Sequence, residues 1–316
     1  MNQSAKSTPL PIVVGLGEIL WDVFPEGPRF GGAPSNFACS IAELGQPLVG
    51  VHIVSAVGND DLGRNAIAAL QSHHVQVGNV QLKEFATGRV DVTLDASGVA
   101  SYRFSEDIAW DHLSWTREFA ELAANCSAVC FGTLAQRSER SRQTIQRFVA
   151  ETPENAFRVL DINLRSPYFD VGVIQESLQL ANVLKLNDDE LPQVAAACGI
   201  EVSEKQDDEA CLRFLMAQLR RMFSLQLVAV TSGPRGATLL SADEMSEHPG
   251  EAVAVADTVG AGDAFTAAMT LGLLRGDPIE KINARSVAVA GFACTQHGGT
   301  MSFPEDLRIR FDEGRS

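Results

Sequence analysis

Short apolar segments with the character of strands alternate with longer segments of helical periodicity along nearly the whole chain. The strand candidates are residues 12–16, 49–57, 128–131, 158–162, 182–186 and 227–231. The helix candidates are residues 35–44, with Gly45 as a C-cap signal, 61–71, 138–150, 171–180, 207–222, 262–276 and 278–294. Because neighbouring parallel strands need a crossover, usually a helix, this alternation predicts an α/β fold with a mostly parallel central sheet and helices on both faces.

Two segments interrupt the alternation, near residues 18–32 and 87–106. The first is turn-rich and partly apolar. The second alternates as two strands around Asp95-Ala-Ser-Gly98, which is a hairpin signal. Small strands inserted into an α/β domain often cover its site, so we predict a single domain over residues 1–316 with a small β lid. A surface hairpin without a role is the alternative.

Composition and charge exclude several classes of protein. The 316 residues are 45% hydrophobic and 21% charged, which is typical of a soluble globular chain. A formal net charge of -15 repels phosphate backbones, so no nucleic-acid partner is expected. The six cysteines form no Cys-x-x-Cys pair, the first ten residues lack an apolar signal core, and no stretch of eighteen apolar residues occurs. We therefore expect a cytoplasmic protein that does not enter the membrane.

The most informative local feature is the run Asp257-Thr-Val-Gly-Ala-Gly-Asp-Ala-Phe265, where a small-residue turn leads into an apolar helix. Gly260, Ala261 and Gly262 leave backbone N–H groups uncovered at the helix N-terminus, and these amides with the helix dipole favour an anion. Asp263 would lie beside a bound phosphate, where its carboxylate accepts the proton of an attacking hydroxyl. Glycine and aspartate also begin purely structural helices, so the fragment alone does not decide between the two roles.

The whole run resembles the C-terminal signature of the PfkB/ribokinase family of sugar and nucleoside kinases. The segment Gly31-Gly-Ala-Pro-Ser-Asn36, followed by a helix and Leu44-Gly45, is similar to the N-terminal signature of that family, near its sugar site. Two distant motifs in the right order are more specific than either one alone. The resemblance implies a ribokinase-like fold, with Asp263 as catalytic base and the Gly260, Ala261 and Gly262 amides around the transferring phosphate.

The resemblance also implies a sugar site. The segment Gly17-Glu-Ile-Leu-Trp-Asp22 resembles the fructokinase form Gly-Glu-x-x-x-Asp, in which Asp22 would accept hydrogen bonds from two sugar hydroxyls. Gly32 and Asn36 would add further contacts. The segment Asp161-Ile-Asn-Leu-Arg165 resembles a motif of fructokinases and 2-keto-3-deoxygluconate kinases, in which Arg165 would clamp a phosphate or a substrate carboxylate.

Two further segments imply the nucleotide and metal sites. Lys185-Leu-Asn-Asp-Asp-Glu190 resembles the family's Asn-x-x-Glu motif, whose Glu organises Mg²⁺, usually through water. Thr231-Ser-Gly-Pro-Arg-Gly236 resembles its nucleotide loop. The residues implied to bind ATP are Lys185, Asn187, Thr231, Gly233 and Gly236. The residues implied to bind cations are Glu190 for Mg²⁺ and Asp257 and Ser302 for K⁺.

We therefore expect an ATP-dependent sugar kinase that phosphorylates a primary hydroxyl, with fructose as the leading substrate because both sugar-site motifs look like those of fructokinases. The first alternative is 2-keto-3-deoxygluconate kinase, whose acidic substrate needs a cation such as Arg165, Arg103 or Arg89. Ribokinase and nucleoside kinase activities are less expected. A homodimer through the lid strands is expected because such strands often pair in this family.

Two alternative interpretations assign the chain to other classes of protein. A catalytically silent relative that binds sugar or nucleotide as a regulator should have lost the base or the glycine turn, and both are present here. A nicotinamide-dependent oxidoreductase requires Gly-x-Gly-x-x-Gly after the first strand, and the third glycine is missing after Gly15-Leu-Gly17.

Overall fold

The computed structural model describes residues 10–24, 26–94, 100–201 and 208–312. Its strands, in chain order, are β1 (Ile12–Leu16), β2 (Leu20–Phe24), β3 (Gly27–Gly31), β4 (Gly50–Gly58), β5 (Val80–Lys83), β6 (Gly88–Leu94), β7 (Ala100–Phe104), β8 (Ala128–Phe131), β9 (Phe157–Asp161), β10 (Val183–Asn187), β11 (Leu227–Thr231), β12 (Ala237–Leu240) and β13 (Met245–His248). Its α-helices are α1 (Ala33–Gly45), α2 (Asp61–Ser72), α3 (Arg117–Ala123), α4 (Glu139–Ala150), α5 (Val171–Leu180), α6 (Glu190–Ala197), α7 (Asp208–Met222), α8 (Ala261–Arg275), α9 (Ile279–Cys294) and α10 (Glu305–Asp312).

The described ranges form a nine-stranded central sheet in the order β13-β12-β11-β10-β9-β8-β1-β4-β5. The strands from β11 across to β5 run parallel, whereas β12 and β13 run antiparallel at one edge. The chain leaves β1 toward β4 on one side and later returns to β8 on the other. The loops that follow β1 and β8 therefore diverge and leave a crevice at the carboxyl ends of the strands. The predicted α/β class with a mostly parallel sheet is confirmed.

Helices cover both faces of this sheet, as the continuous apolar strands require. Val13 packs into a buried cluster with residues of α1, α8 and α9, whereas its neighbour Val14 packs into a second cluster with residues of α4, α5 and α7. This opposite placement follows from the alternation of side chains along a strand. Among the described residues, no helix is both long enough and apolar enough to cross a membrane.

Helix α1 lies very close to the central strand β1. A Cβ atom added to Gly15 would lie 2.5 Å from the backbone oxygen of Pro34, so the contact is possible only without a side chain. Gly45 has a similar role at the other end of α1. It is the last helical residue, so the helix ends at Gly45 as predicted, but the C-cap residue is Gln46, in an extended conformation, and not the glycine. A Cβ atom on Gly45 would lie 3.0 Å from Leu271 on α8, and close packing therefore explains the glycine.

A second sheet is formed by the two segments that interrupt the alternation. Its strand order is β3-β2-β6-β7, with β2 parallel to β6 and the other two pairs antiparallel. Leu20, Asp22, Val90 and Phe104 on this sheet line a cavity that the central sheet also borders. The predicted hairpin turn at residues 95–98 lies outside the described residues.

We predict that Gly15→Ala lowers the free energy of unfolding by roughly 1–3 kcal/mol, because the new methyl group would force α1 away from β1. Urea denaturation measures the change. Gly50→Ala on the neighbouring strand β4 is the matched control, since a Cβ atom there meets nothing within 4 Å. Equal stability of Gly15→Ala and Gly50→Ala would contradict the prediction.

Candidate active site

A cavity of about 730 Å³ opens at the carboxyl ends of the parallel strands, between the central sheet and the second sheet. The predicted site residues that line it are Asp22, Gly32, Asn36, Arg165, Lys185, Asn187, Thr231, Gly233, Gly260, Gly262 and Asp263. The predicted residues outside its wall are Gly236, Ala261, Glu190, Asp257 and Ser302. Residues distant in the sequence therefore meet at the switch point of the sheet, where α/β folds commonly bind ligands.

The start of α8 forms one end of this cavity. Gly260 is the N-cap residue, with a left-handed φ of 78° that favours glycine, and no side chain among the described residues caps the helix. The Ala261 amide donates to Thr258 O at 3.3 Å, so this amide is already paired and is not free for an anion. The amides of Gly262 and Asp263 follow it in the first turn, where the helix dipole favours an anion.

Asp263 lies in the first turn of α8 and is 8% exposed. Its Oδ2 atom accepts a hydrogen bond of 2.8 Å from Nδ2 of Asn36, on α1. Burial, and next the charge of Asp161, raise the pKa of Asp263 to about 6, against the lowering effects of the Asn36 hydrogen bond and Lys185. A carboxylate that faces a cavity, held by one hydrogen bond and with a pKa near neutrality, suits a general base.

A buried cation lies beside the same helix start. Lys185 Nζ is 3.1 Å from Asp161 Oδ1, and the two side chains are only 8% and 6% exposed. A Cβ atom on Gly262 would lie 2.8 Å from Lys185 Nζ, so the ammonium is directly against the glycine turn. The positive charge and the helix amides therefore favour an anion at the same place.

Acceptor groups cluster in the part of the cavity formed by the loop after β1, the second sheet and the start of α1. Asp22 on β2 has a pKa raised to about 6 by burial. Glu18, to which the sequence analysis assigned no role, is 4% exposed, and burial raises its pKa to about 7. Glu18 Oε1 accepts a bond of 3.3 Å from Ala33 N, whereas Glu18 Oε2 and Asn36 Oδ1 have no partner among the described residues. An acidic residue two positions after a buried strand is the sequence signal for Glu18.

Glu190 lies behind the cavity wall at the start of α6. Its carboxylate accepts bonds from Leu164 N at 2.8 Å and Asn187 N at 2.9 Å, while Asn187 Oδ1 accepts from Glu190 N at 2.8 Å. Each carboxylate oxygen keeps a free lone pair, so the residue fits a contact with Mg²⁺ through water. The described residues contain no group of three or more His, Cys, Asp or Glu side chains that could hold a metal ion. An Mg²⁺ ion bound mostly by phosphates and water fits this donor set.

Asp257 already has partners for both carboxylate oxygens. Oδ1 accepts from Val259 N at 3.0 Å, and Oδ2 accepts from Gly298 N at 3.1 Å and from Arg29 Nη1 on β3 at 3.4 Å. Ser302 is exposed. Asp257 Oδ1 accepts only one hydrogen bond and keeps a lone pair, as the Glu190 oxygens do, and the potassium site stays a prediction of the resemblance.

The loop predicted to bind nucleotide follows β11. Arg235 forms an ion pair with Asp188, which joins this loop to the loop after β10. Gly236 faces away from the cavity, against His248 of β13. Arg165 is exposed at the cavity wall, where its Nη1 atom donates to Leu164 O at 3.1 Å.

Comparison with known proteins identifies relatives along most of the chain. A family model described as pfkB family carbohydrate kinase matches residues 27–306. A protein of Pyrococcus horikoshii described as a sugar kinase is 28% identical over 295 residues, which cover 90% of this chain and 87% of that protein. A fructokinase of Salmonella typhimurium is 28% identical over 271 residues, which cover 82% of this chain and 83% of that protein.

Solved structures show the same architecture. Fructokinase of Vibrio cholerae, solved with fructose, ADP and calcium, has a TM-score of 0.78 at 22% identity, and the match covers 96% of this chain and 99% of that one. The 2-dehydro-3-deoxygluconokinase of Thermotoga maritima has a TM-score of 0.80 at 16% identity, over 97% and 99% of the two chains. Identities this low establish the fold alone, and the predicted ribokinase-like fold is confirmed.

We predict that Glu18→Gln reduces the pH dependence of stability. The folded protein keeps the Glu18 proton up to about pH 7, whereas the unfolded chain releases it near the ordinary value of 4.5. The contribution of Glu18 is therefore fully favourable below pH 4.5 and is lost as the pH rises through 7, by up to about 1.4 kcal/mol for each pH unit. Glutamine carries no such proton and still accepts a bond from Ala33 N.

Urea denaturation at pH 5 and pH 8 measures the difference. Between these two values the wild type should lose about 2–3 kcal/mol more stability than Glu18→Gln. Glu121→Gln, at an exposed position on α3, is the control and should behave like the wild type. An unaltered pH dependence in Glu18→Gln would show that the carboxyl ionises normally in the folded protein.

Proposed function

We propose that this chain, which belongs to the pfkB family of carbohydrate kinases, transfers the γ-phosphoryl group of ATP to a primary hydroxyl of a neutral sugar, and that fructose is its substrate. The observation that carries the proposal is the Asp263 carboxylate in the cavity wall, held at 2.8 Å by Asn36 beside the uncapped start of α8. A base and an anion site that share one helical turn suit phosphoryl transfer.

In the proposed reaction Asp263 takes the proton of the sugar hydroxyl as that oxygen attacks the γ-phosphorus. The Gly262 and Asp263 amides and the Lys185 ammonium hold the transferring group while its bond to the ADP oxygen breaks, leaving negative charge on that oxygen, and its bond to the sugar oxygen forms. Mg²⁺ would offset the phosphate charge, with Glu190 in contact through water. The second sheet is proposed to close over the cavity and exclude water, which would otherwise compete as the acceptor.

The charge pattern around Asp22 favours a neutral, polyhydroxylated substrate. Asp22 and, once ionised, Glu18 are acidic acceptors in this part of the cavity wall, and sugar hydroxyls are the matching donors. A substrate carboxylate in the same position would meet two acidic side chains and orphan their acceptors, which is costly in a buried site. This argument supports fructose, which the Vibrio cholerae structure contains.

The second candidate is a 2-keto-3-deoxygluconate kinase. The observation that favours it is the exposed Arg165 side chain in the cavity wall, a suitable partner for a substrate carboxylate. Arg103 and Arg89 are not part of that wall within the described residues. A silent binding protein is less well supported, because the base and the glycine turn lie together in the cavity. The homodimer and the cytoplasmic location stay predictions.

We predict that Asp263→Asn lowers kcat by on the order of 10²-fold or more, because the amide accepts no proton, while ATP still binds. ADP release with saturating sugar measures kcat, and calorimetry measures nucleotide binding. In the wild type, kcat/KM should fall below about pH 6 as Asp263 takes up its proton. Asp91→Asn on the second sheet is the control carboxylate and should keep its turnover. Normal turnover in Asp263→Asn would show that Asp263 is not the catalytic base.

We predict that fructose gives the highest kcat/KM in a panel of ketoses, aldoses, sugar acids and nucleosides assayed with ATP and Mg²⁺. Asp22→Asn should raise KM for fructose by about tenfold, because one strong acceptor for hydroxyls is lost. Arg165→Gln should leave fructose turnover within a few-fold. A sugar acid that reacts faster than fructose, and only with Arg165 present, would contradict fructose as the substrate. It would not contradict the kinase assignment.

A further inference from the structure

Asp161 ends strand β9 and has no role in the mechanism above. Its side chain is 6% exposed and does not line the cavity. Asp161 Oδ1 lies 3.1 Å from Lys185 Nζ, and Oδ2 accepts a hydrogen bond of 2.8 Å from Thr266 Oγ1. Both oxygens are therefore engaged by side chains that belong to two different elements, β10 and α8.

Lys185 is the residue through which Asp161 can act on a ligand. An ammonium group has three N–H donors, and the pair with Asp161 uses one of them. The other two N–H donors are on the same Nζ atom. Lys185 lines the cavity, and its Nζ atom lies 2.8 Å from where a Cβ atom on Gly262 would be. Without its carboxylate partner, a lysine on a flexible four-carbon stem would have no fixed position beside the turn.

Thr266 gives Asp161 a second contact with the same helix. It lies one turn after Asp263 on α8, and its hydroxyl is 2.8 Å from Asp161 Oδ2 and 2.9 Å from Gly262 O. This contact joins α8 to β9 across 105 positions of the chain. It fixes the rotation of the turn that carries the base relative to the central sheet.

We propose that Asp161 is a positioning residue for phosphoryl transfer, which holds the Lys185 ammonium beside Gly262 and fixes the first turn of α8. The inference rests on the proposed kinase function. A structural role alone would not require a buried ion pair, since apolar side chains of similar volume stabilise an interior at least as well. The position of the ammonium in the cavity wall explains why the charges are kept.

Charged and titratable groups from the surrounding elements face this pair. They are Cys130 on β8, Glu190 on α6, Asp263 on α8 and, beyond Asp263, Glu18 and Arg165. Burial lowers the pKa of Lys185, but the carboxylates, Asp161 foremost, reverse this and raise it. Asp161 also raises the pKa of Asp263. Neutralising Asp161 should therefore lower the pKa of both groups.

The first test compares the pH profile of kcat/KM for wild type and Asp161→Asn. The acidic limb should move to lower pH, because Asp263 loses a repelling charge. The alkaline limb should also move to lower pH, because the buried Lys185 loses the carboxylate that favours its charged form. Asp111→Asn is the matched control: it breaks the ion pair of Asp111 with Arg137, which is equally buried but lies outside the cavity. It should lower stability and move neither limb.

The second test uses nucleotide binding and a double-mutant cycle. Asp161→Asn should weaken binding of the non-hydrolysable triphosphate AMP-PNP on the order of tenfold, and binding of ADP much less, because Lys185 faces the terminal phosphate. Lys185→Met should have a similar effect. Asp161→Asn should add little in the Lys185→Met background, because an asparagine oxygen can still accept from Thr266 and the remaining effect of Asp161 on nucleotide binding acts through the lysine. The double variant leaves no buried charge unpaired, so it should fold even if Asp161→Asn alone does not.

Unchanged limbs together with unchanged AMP-PNP binding in Asp161→Asn would overturn the inference, and so would additive effects of the two substitutions. Absence of phosphorylation of every sugar by the wild type would instead overturn the proposed function. In that case the AMP-PNP comparison still tests the position of Lys185, because it requires no sugar. The two failures are therefore distinguishable.

Discussion

The geometry of the site depends on one hydrogen bond, between the Asn36 amide and the Asp263 carboxylate, which joins α1 and α8 across 227 positions of the chain. The bond is possible because two glycines let β1, α1 and the segment that contains Gly299 lie close together. Gly15 lets α1 lie on β1, and Gly299 leaves space for the Asn36 amide, 2.4 Å from where its Cβ atom would be. The orientation of the Asp263 carboxylate is therefore a property of the packed interior.

The two ends of the cavity differ in charge: one carries carboxyl groups and the other carries positive groups. Around Asp22 and Glu18, burial raises the pKa of carboxyl groups and leaves acceptors without partners. At the start of α8, the Lys185 ammonium and the helix amides collect positive charge. A strongly acidic chain, with a net charge of -15, can thus attract a nucleotide because the favourable field is local and shielded from the surface.

Much of this could be predicted from the sequence because buried parallel strands are continuous apolar runs. The segments predicted at residues 12–16, 128–131 and 227–231 coincide with β1, β8 and β11. The short, half-exposed strands β5, β12 and β13 carry no such signal and were missed. Ala261 follows a suitable turn, yet its amide bonds to Thr258, which only the backbone geometry reveals. The role of Asp161 depends on Lys185 and Thr266, up to 105 positions away, so no local pattern could indicate it.

The ion pair between Arg29 and Asp257 connects the second sheet to the loop just ahead of α8. Arg29 is 41% exposed, so the pair is worth at most about 1 kcal/mol and can break and re-form readily. A displacement of the second sheet that strains this pair acts on the same loop that leads into the glycine turn. Because the pair is this weak, it would couple the proposed closure of the second sheet to the glycine turn by no more than about 1 kcal/mol.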